Sequence, residues 1–179
     1  MRPVLLILFT AFIIQANAQS KIKYTEIRYT DTINHFSIIF PADWTFKERD
    51  TAFRGIAFSA SRVPVGKGDY ARDNFNINII KTPKKDLEKT FSDLLRYLTD
   101  DGGNTKIIEK GDTTLNGRKF KWLIESHNSP DGKKLQLHNY DFVTIRDGKT
   151  FILTMTTFSN YFDTSKPLFD KIAGSFKLF

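Results

Sequence analysis

The chain is expected to fold as an α+β protein, a central, mainly antiparallel β-sheet with helices packed on it. Three observations point there. Most apolar residues alternate with polar ones in short runs divided by turn residues, which is the period of half-buried strands. Two stretches repeat instead at helical spacing. The order along the chain is strands, helix, a run of strands, helix, whereas a parallel sheet needs strand and helix to alternate throughout.

Residues 1–18 stand outside that fold. Arg2 precedes the apolar run 4–14, and Ala16-Asn17-Ala18 follows it as a small-residue cleavage pattern, so the stretch has the three parts of a secretory signal peptide and the mature chain is expected to begin at Gln19. The apolar run is shorter than the roughly 20 residues a membrane helix needs, and no other segment comes close. The expected address is exported, either periplasmic or extracellular. Residues 19–35 are expected to form an N-terminal arm and 36–179 a single domain.

The first strand of the domain is 36–40, where Phe36, Ile38 and Phe40 alternate with Ser37 and Ile39 and Pro41 ends the run. A Pro-Ala-Asp-Trp turn then delivers Trp44, a large ring suited to covering the end of a sheet. The preceding stretch 21–32 is compatible with a leader arm or a weak edge strand. Residues 54–60 form a second strand through Ile56, Phe58 and Ala60, and 63–72, with Gly66-Lys67-Gly68, read as a loop.

Residues 74–80 alternate most cleanly of all, with Phe75, Ile77 and Ile79 on one face and Asn74, Asn76 and Asn78 on the other. Thr82 is placed to cap a helix over 84–98, whose stripe is Leu87, Phe91, Leu94, Leu95 and Leu98. Asp100-Asp101-Gly102-Gly103 stops it. Short strands follow at 105–110 and 112–115, and Asn116-Gly117 turns the chain into 119–127, where Phe120, Trp122 and Ile124 share the core face while Lys119 and Lys121 face water. Pro130-Asp131-Gly132 and Asp147-Gly148 turn it again into 134–145 and 150–157. A last helix is capped by Asp163 or Thr164, carries Pro167 in its first turns and stops at Gly174.

These features, in this order, resemble the superfamily of PsbP, the extrinsic photosystem II protein, and its bacterial relatives. The residues that carry the likeness are Phe-Ser-Ile-Ile-Phe-Pro-Ala-Asp-Trp from Phe36, the strand 74–80 before its helix, Leu115-Asn116-Gly117-Arg118, the hairpin from Asp147 to Thr154, and the closing Ile172-Ala173-Gly174-Ser175-Phe176. The likeness spans about 36–179. It implies an αβα sandwich and, in members so far from plants, a non-catalytic domain that binds, docks or assists assembly. Metal binding belongs to parts of the family, but no ligand motif carries over here residue by residue.

Composition narrows the chemistry further. No cysteine occurs, which excludes disulfides, thiol nucleophiles, thiolate metal centres and an acylated lipobox. Stability must then come from a core, which seventeen Phe make aromatic. The formal charge is +7, one unit less once Arg2 leaves. A basic exported chain meets acidic proteins, anionic polymers or lipid head groups more readily than nucleic acid.

No hydrolase elbow, Walker loop or zinc signature occurs. His127 and His138 would be neighbours if their strands paired, and Asp141 would join them in a weak metal or acid-base set. Asn74, Asn76 and Asn78 offer a polar groove for sugars or peptides. No catalytic residue and no cofactor is expected. The expected role is an exported binding or assembly-accessory domain whose partner is an envelope or exported protein. The alternatives are a small metal-dependent enzyme using His127 and His138, or a basic protein adhering to anionic envelope polymers.

Overall fold

A computed structural model describes residues 25–49, 55–67, 69, 73–82, 86–100, 105–129 and 135–179. In chain order the strands are β1 (Glu26–Asp31), β2 (Phe36–Pro41), β3 (Thr45–Glu48), β4 (Ile56–Ser61), β5 (Asn74–Lys81), β6 (Lys106–Leu115), β7 (Arg118–Asn128), β8 (Gln136–Arg146), β9 (Lys149–Phe158) and β10 (Lys177–Leu178). Helix α1 (Leu87–Asp100) lies between β5 and β6, and α2 (Phe162–Ser175) follows a short 3-10 turn after β9.

Seven strands form the main sheet in the order β3-β4-β5-β9-β8-β7-β6, and β1-β2-β10 form a small second sheet. Every pairing is antiparallel. Two tight hairpins set the register of the second half. Asn116 and Gly117, and again Asp147 and Gly148, take positive φ, which is the pair of left-handed residues that a two-residue hairpin turn matched to strand twist requires. The Asn116 side chain does more than turn the chain. Its Nδ2 donates to the Gly174 and Phe176 carbonyls at 3.1 and 2.8 Å, satisfying backbone at the end of α2.

The sheet is covered on both faces, which makes the three layers. On one face α2 and the small sheet bury Phe58, Phe75, Ile77, Phe142, Leu153 and Met155. Phe40 of β2 packs on Phe58 and Phe75 with ring centroids 5.5 and 5.6 Å away. Phe176 meets Phe36, Phe120 and Phe151, so the chain end locks both sheets together. Trp44 is buried against Phe75 at the end of β5, as its position after the Pro turn predicts. The opposite face is covered by α1, whose Phe91, Leu94, Leu95 and Leu98 lie on Leu123, Val143 and Ile152.

Several local expectations change. The stretch left open between arm and strand contains β1, an edge strand paired with β2 along its length. The two short strands before Asn116 are one, β6, which runs straight through Gly111 because the Trp122 indole lies across that position: a Cβ there would stand 3.0 Å from the ring. The cap of α1 is Asp86, whose Oδ1 accepts from the Lys89 amide at 2.7 Å. Thr82 instead shares a hydrogen bond with Thr150 at 2.5 Å. Helix α2 begins at Phe162, without a side-chain cap, and runs one residue past Gly174.

Lys121 is the largest change. Its alternation is right, but the face it shares is covered by α1, and the side chain is only 12% exposed. Nζ lies 2.6 Å from both Glu88 of α1 and Asp112 of β6, and these two bonds hold its pKa above the ordinary value.

Candidate functional site

Helix α1 covers only the part of its face that carries Leu123, Val143 and Ile152. Beyond it, toward the ends of β7, β8, β9 and β5 remote from the hairpin turns, the same face is polar. Cross-strand register brings the residues into line: Glu125 is opposite Asn139, Asn139 is opposite Thr156, and Thr156 is opposite Asn74. One step nearer the turns, Asp141 is opposite Thr154 and Thr154 is opposite Asn76. Residues i and i+2 on a strand share a face, so Asn78 and His127 belong to the same platform.

Hydrogen bonds run along both rows. The Thr156 hydroxyl donates to Asn139 Oδ1 at 2.7 Å, Asn139 Nδ2 donates to Glu125 Oε1 at 2.6 Å, and His127 Nδ1 lies 3.0 Å from Glu125 Oε2. The Thr154 hydroxyl donates to Asp141 Oδ1 at 2.5 Å, and Asn78 Nδ2 donates to Asn76 Oδ1 at 2.7 Å. Glu125 and Asp141 are buried, while His127 and the three asparagines are half-buried. The platform thus has carboxylates underneath and amides, hydroxyls and an imidazole above.

Burial dictates the electrostatics. Desolvation pushes the Asp141 carboxyl up to about 7, partly offset by the Thr154 hydrogen bond and reinforced by nearby Glu125. The hydrogen bond to Glu125 holds His127 above the ordinary imidazole value, despite its own partial burial. With Nδ1 turned to Glu125, the imidazole has Nε2 as its remaining polar atom. Such a surface can donate and accept neutral hydrogen bonds while keeping its charge below.

The structure separates the histidine pair. Ser126, not His127, is opposite His138, so the two imidazoles leave opposite faces of the sheet. His138 stacks on Phe162 at the start of α2, with centroids 4.9 Å apart, and burial lowers its pKa. Asp141 shares the His127 face but stands four residues along β8 from the position opposite His127. Among the described residues no group of three His, Asp or Glu side chains converges to hold a metal. Asn74, Asn76 and Asn78, by contrast, sit on one face of β5 and extend the platform across it.

Glu125, Asn139, Thr154 and Thr156 were not singled out by sequence reasoning. A signal did exist, since Asp141 interrupts the run Tyr140–Val143 and Glu125 follows Leu123-Ile124, both in strands covered on two faces. Of the loop 63–72 and the stretch that ends α1, residues 68, 70–72 and 101–104 lie outside the described residues. In the rest of the first loop, Arg62 grips Asp69 through two 2.8 Å bonds, and Asp69 also accepts from the Val65 amide.

Comparison with known proteins agrees with this architecture. The structure is similar to that of cyanobacterial PsbP (CyanoP) from Synechocystis sp. PCC 6803, with a TM-score of 0.66 and 18% identity over 92% of this chain and 99% of that one. It is similar to LpqN of Mycobacterium tuberculosis, involved in cell envelope biogenesis, with a TM-score of 0.58 and 14% identity over 86% and 90% of the two chains. It also resembles the Ran-binding protein Mog1p of Saccharomyces cerevisiae, with a TM-score of 0.56 and 8% identity over 87% and 96%. At these identities the likeness is one of fold. No curated protein sequence matches the chain. The PsbP family model, however, matches residues 26–178, from the first residue of β1 to the last of β10, and this chain belongs to the PsbP family.

Proposed function

We propose that the chain is exported, loses residues 1–18, and works as a non-catalytic binding or assembly-accessory domain for an envelope or exported protein. The observation that carries this reading is the platform. Its buried carboxylates, Glu125 and Asp141, are engaged by Asn139, His127 and Thr154, whereas its upper layer offers amides and hydroxyls in register across three strands, with the His127 imidazole on the fourth. Hydrogen-bonding groups arrayed at strand spacing suit an extended peptide segment, whose own polar groups recur at a similar interval. Proteins of similar fold named for Ran binding and for cell envelope biogenesis are in keeping with an accessory role.

The test is a crosslinked pull-down from envelope extract of its own cells at low and high salt, with Asn76→Ala/His127→Ala as the comparison. One salt-resistant protein captured by the native chain and lost by the double variant is the expected result. Equal capture by both, or turnover of a substrate at a rate that depends on His127, would remove the proposal.

A further inference from the structure

The opposite end of the main sheet, where the hairpins turn, has a different character. Lys81 at the end of β5 is opposite Lys149 at the start of β9, and Lys149 is opposite Arg146 at the end of β8. Arg118, at the start of β7, reaches the Ile145 carbonyl beside Arg146 at 3.4 Å. Four cations therefore stand side by side across four adjacent strands, about 5 Å from one strand to the next. Like charges directly opposite one another in a sheet are destabilising. Nothing in the packing of the described residues at this end calls for the row.

Among the described residues its neutralisation is also slight. Asp147, which accepts from Arg146 Nε at 3.0 Å, is 82% exposed, and the Arg146 Nη1 is enclosed without a hydrogen-bond partner. Asp31, the buried carboxylate of the neighbouring β1–β2 turn, is consumed by the Ile33 and Asn34 amides and the Asn34 side chain.

Large apolar side chains flank the cations. Ile80, next to Lys81, is 49% exposed. On the other side Leu178 shares a shallow cleft with Arg118 and Lys119, and the Phe179 amide donates to the His35 carbonyl in the β1–β2 turn. Phe179 is 45% exposed, and Ile33 of that turn 60%. A soluble polyanion or an acidic peptide would use the cations alone. Cations ringed by protruding aliphatic and aromatic side chains match the boundary between phosphate head groups and acyl chains.

We infer that this turn end is a membrane-facing surface that seats the domain on an anionic lipid bilayer, Lys81 and Lys149 meeting head-group phosphates with the charge of Arg146 and Arg118 behind them, while Ile33, Ile80 and Phe179 enter the interface. The surface lies at the other end of the sheet from the polar platform and does not depend on the reading given to it. A domain seated in this way would hold the platform away from the lipid.

The experiment uses the form recovered from the envelope of its own cells, co-sedimented with phosphatidylcholine vesicles with and without phosphatidylglycerol. Binding is expected only to the anionic vesicles and should fall as salt rises. Each basic residue near such a surface contributes about a 5-fold gain, so Lys81→Gln/Lys149→Gln should weaken partition about 25-fold. Ile33→Ser/Phe179→Ser should weaken binding at low salt and abolish what persists at high salt. Circular dichroism would verify that each variant keeps the fold. The inference is overturned if the native form ignores anionic vesicles or if the lysine variant binds as well as the native form. It is also overturned if soluble poly-glutamate displaces the protein from the vesicles while Ile33→Ser/Phe179→Ser binds normally, since the site would then read charge alone.

Discussion

The Thr154 hydroxyl donates to Asp141 Oδ1 at 2.5 Å across the β8–β9 pair, where the carboxyl is buried. Among the described residues no cation is bonded to this carboxyl, and burial raises its pKa to about 7. A carboxyl raised on folding binds its proton more tightly in the native state. Its contribution to stability is fully present below pH about 4 and is lost as pH rises through about 7. His127, also raised, loses its contribution as pH rises; His138, lowered by burial, acts in the opposite sense near its ordinary value of 6.5. The net expectation is stability that declines from pH about 4 to 7. Asp141→Asn keeps an acceptor for Thr154 and should flatten that slope and raise the melting temperature at pH 8. Urea melts of both forms across this range would decide it, and a native chain most stable at pH 8 would contradict the assignment.

Asp73, just before β5, ties α2 to the sheet. The Thr157 hydroxyl donates to its Oδ1 at 2.6 Å and the Ser165 hydroxyl to its Oδ2 at 3.0 Å. Both donors are buried. Asp73→Ala should cost about 2–4 kcal/mol by leaving them unpaired, whereas Asp73→Asn should cost less because a hydroxyl can turn to accept. Equilibrium unfolding would separate the two variants, and equal losses would show that the hydroxyls find other partners.

Gly111 is required by its neighbour rather than by its backbone. A Cβ would stand 3.0 Å from three atoms of the Trp122 indole, so Gly111→Ala should push the ring outward and cost about 1–2 kcal/mol. Tryptophan fluorescence should shift along with stability. An unchanged spectrum would mean that the β6 edge yields instead of the ring.

Phe176 is fully buried between Phe36, Phe120 and Phe151. Phe176→Ala removes the ring that joins the two sheets and should cost about 3–5 kcal/mol. Because β10 leads directly from it, amide exchange in β1 and β2 should accelerate more than in β7 to β9. Uniform acceleration would mean that the small sheet does not open separately.

Local rules account for much of the fold. The alternation around Phe75, Ile77 and Ile79, the left-handed pairs at Asn116-Gly117 and Asp147-Gly148, and the stripe from Leu87 to Leu98 each act within a few residues. That suffices to place the long strands, their hairpins and α1, and the order of these pieces carries the family. Caps and short strands were less legible. Asp86 and Thr82 are both good caps, and only the tertiary bond from Thr82 to Thr150 removes one of them. Lys121 alternates as a solvent-facing residue should, and the placement of α1 above it drew its ammonium between Glu88 and Asp112, which are themselves exposed.

The sequence by itself determined the class, the antiparallel hairpins, the aromatic core and the absence of any thiol chemistry, because those depend on residue type and local period. Only the tertiary structure decided which polar residues meet. Glu125, Asn139 and Thr156 are distant along the chain, and His127 and His138 differ in facing by a single step of register. A one-residue slip in a strand exchanges its two faces, so pairing, which is a long-range property, separated the imidazoles and assembled the platform.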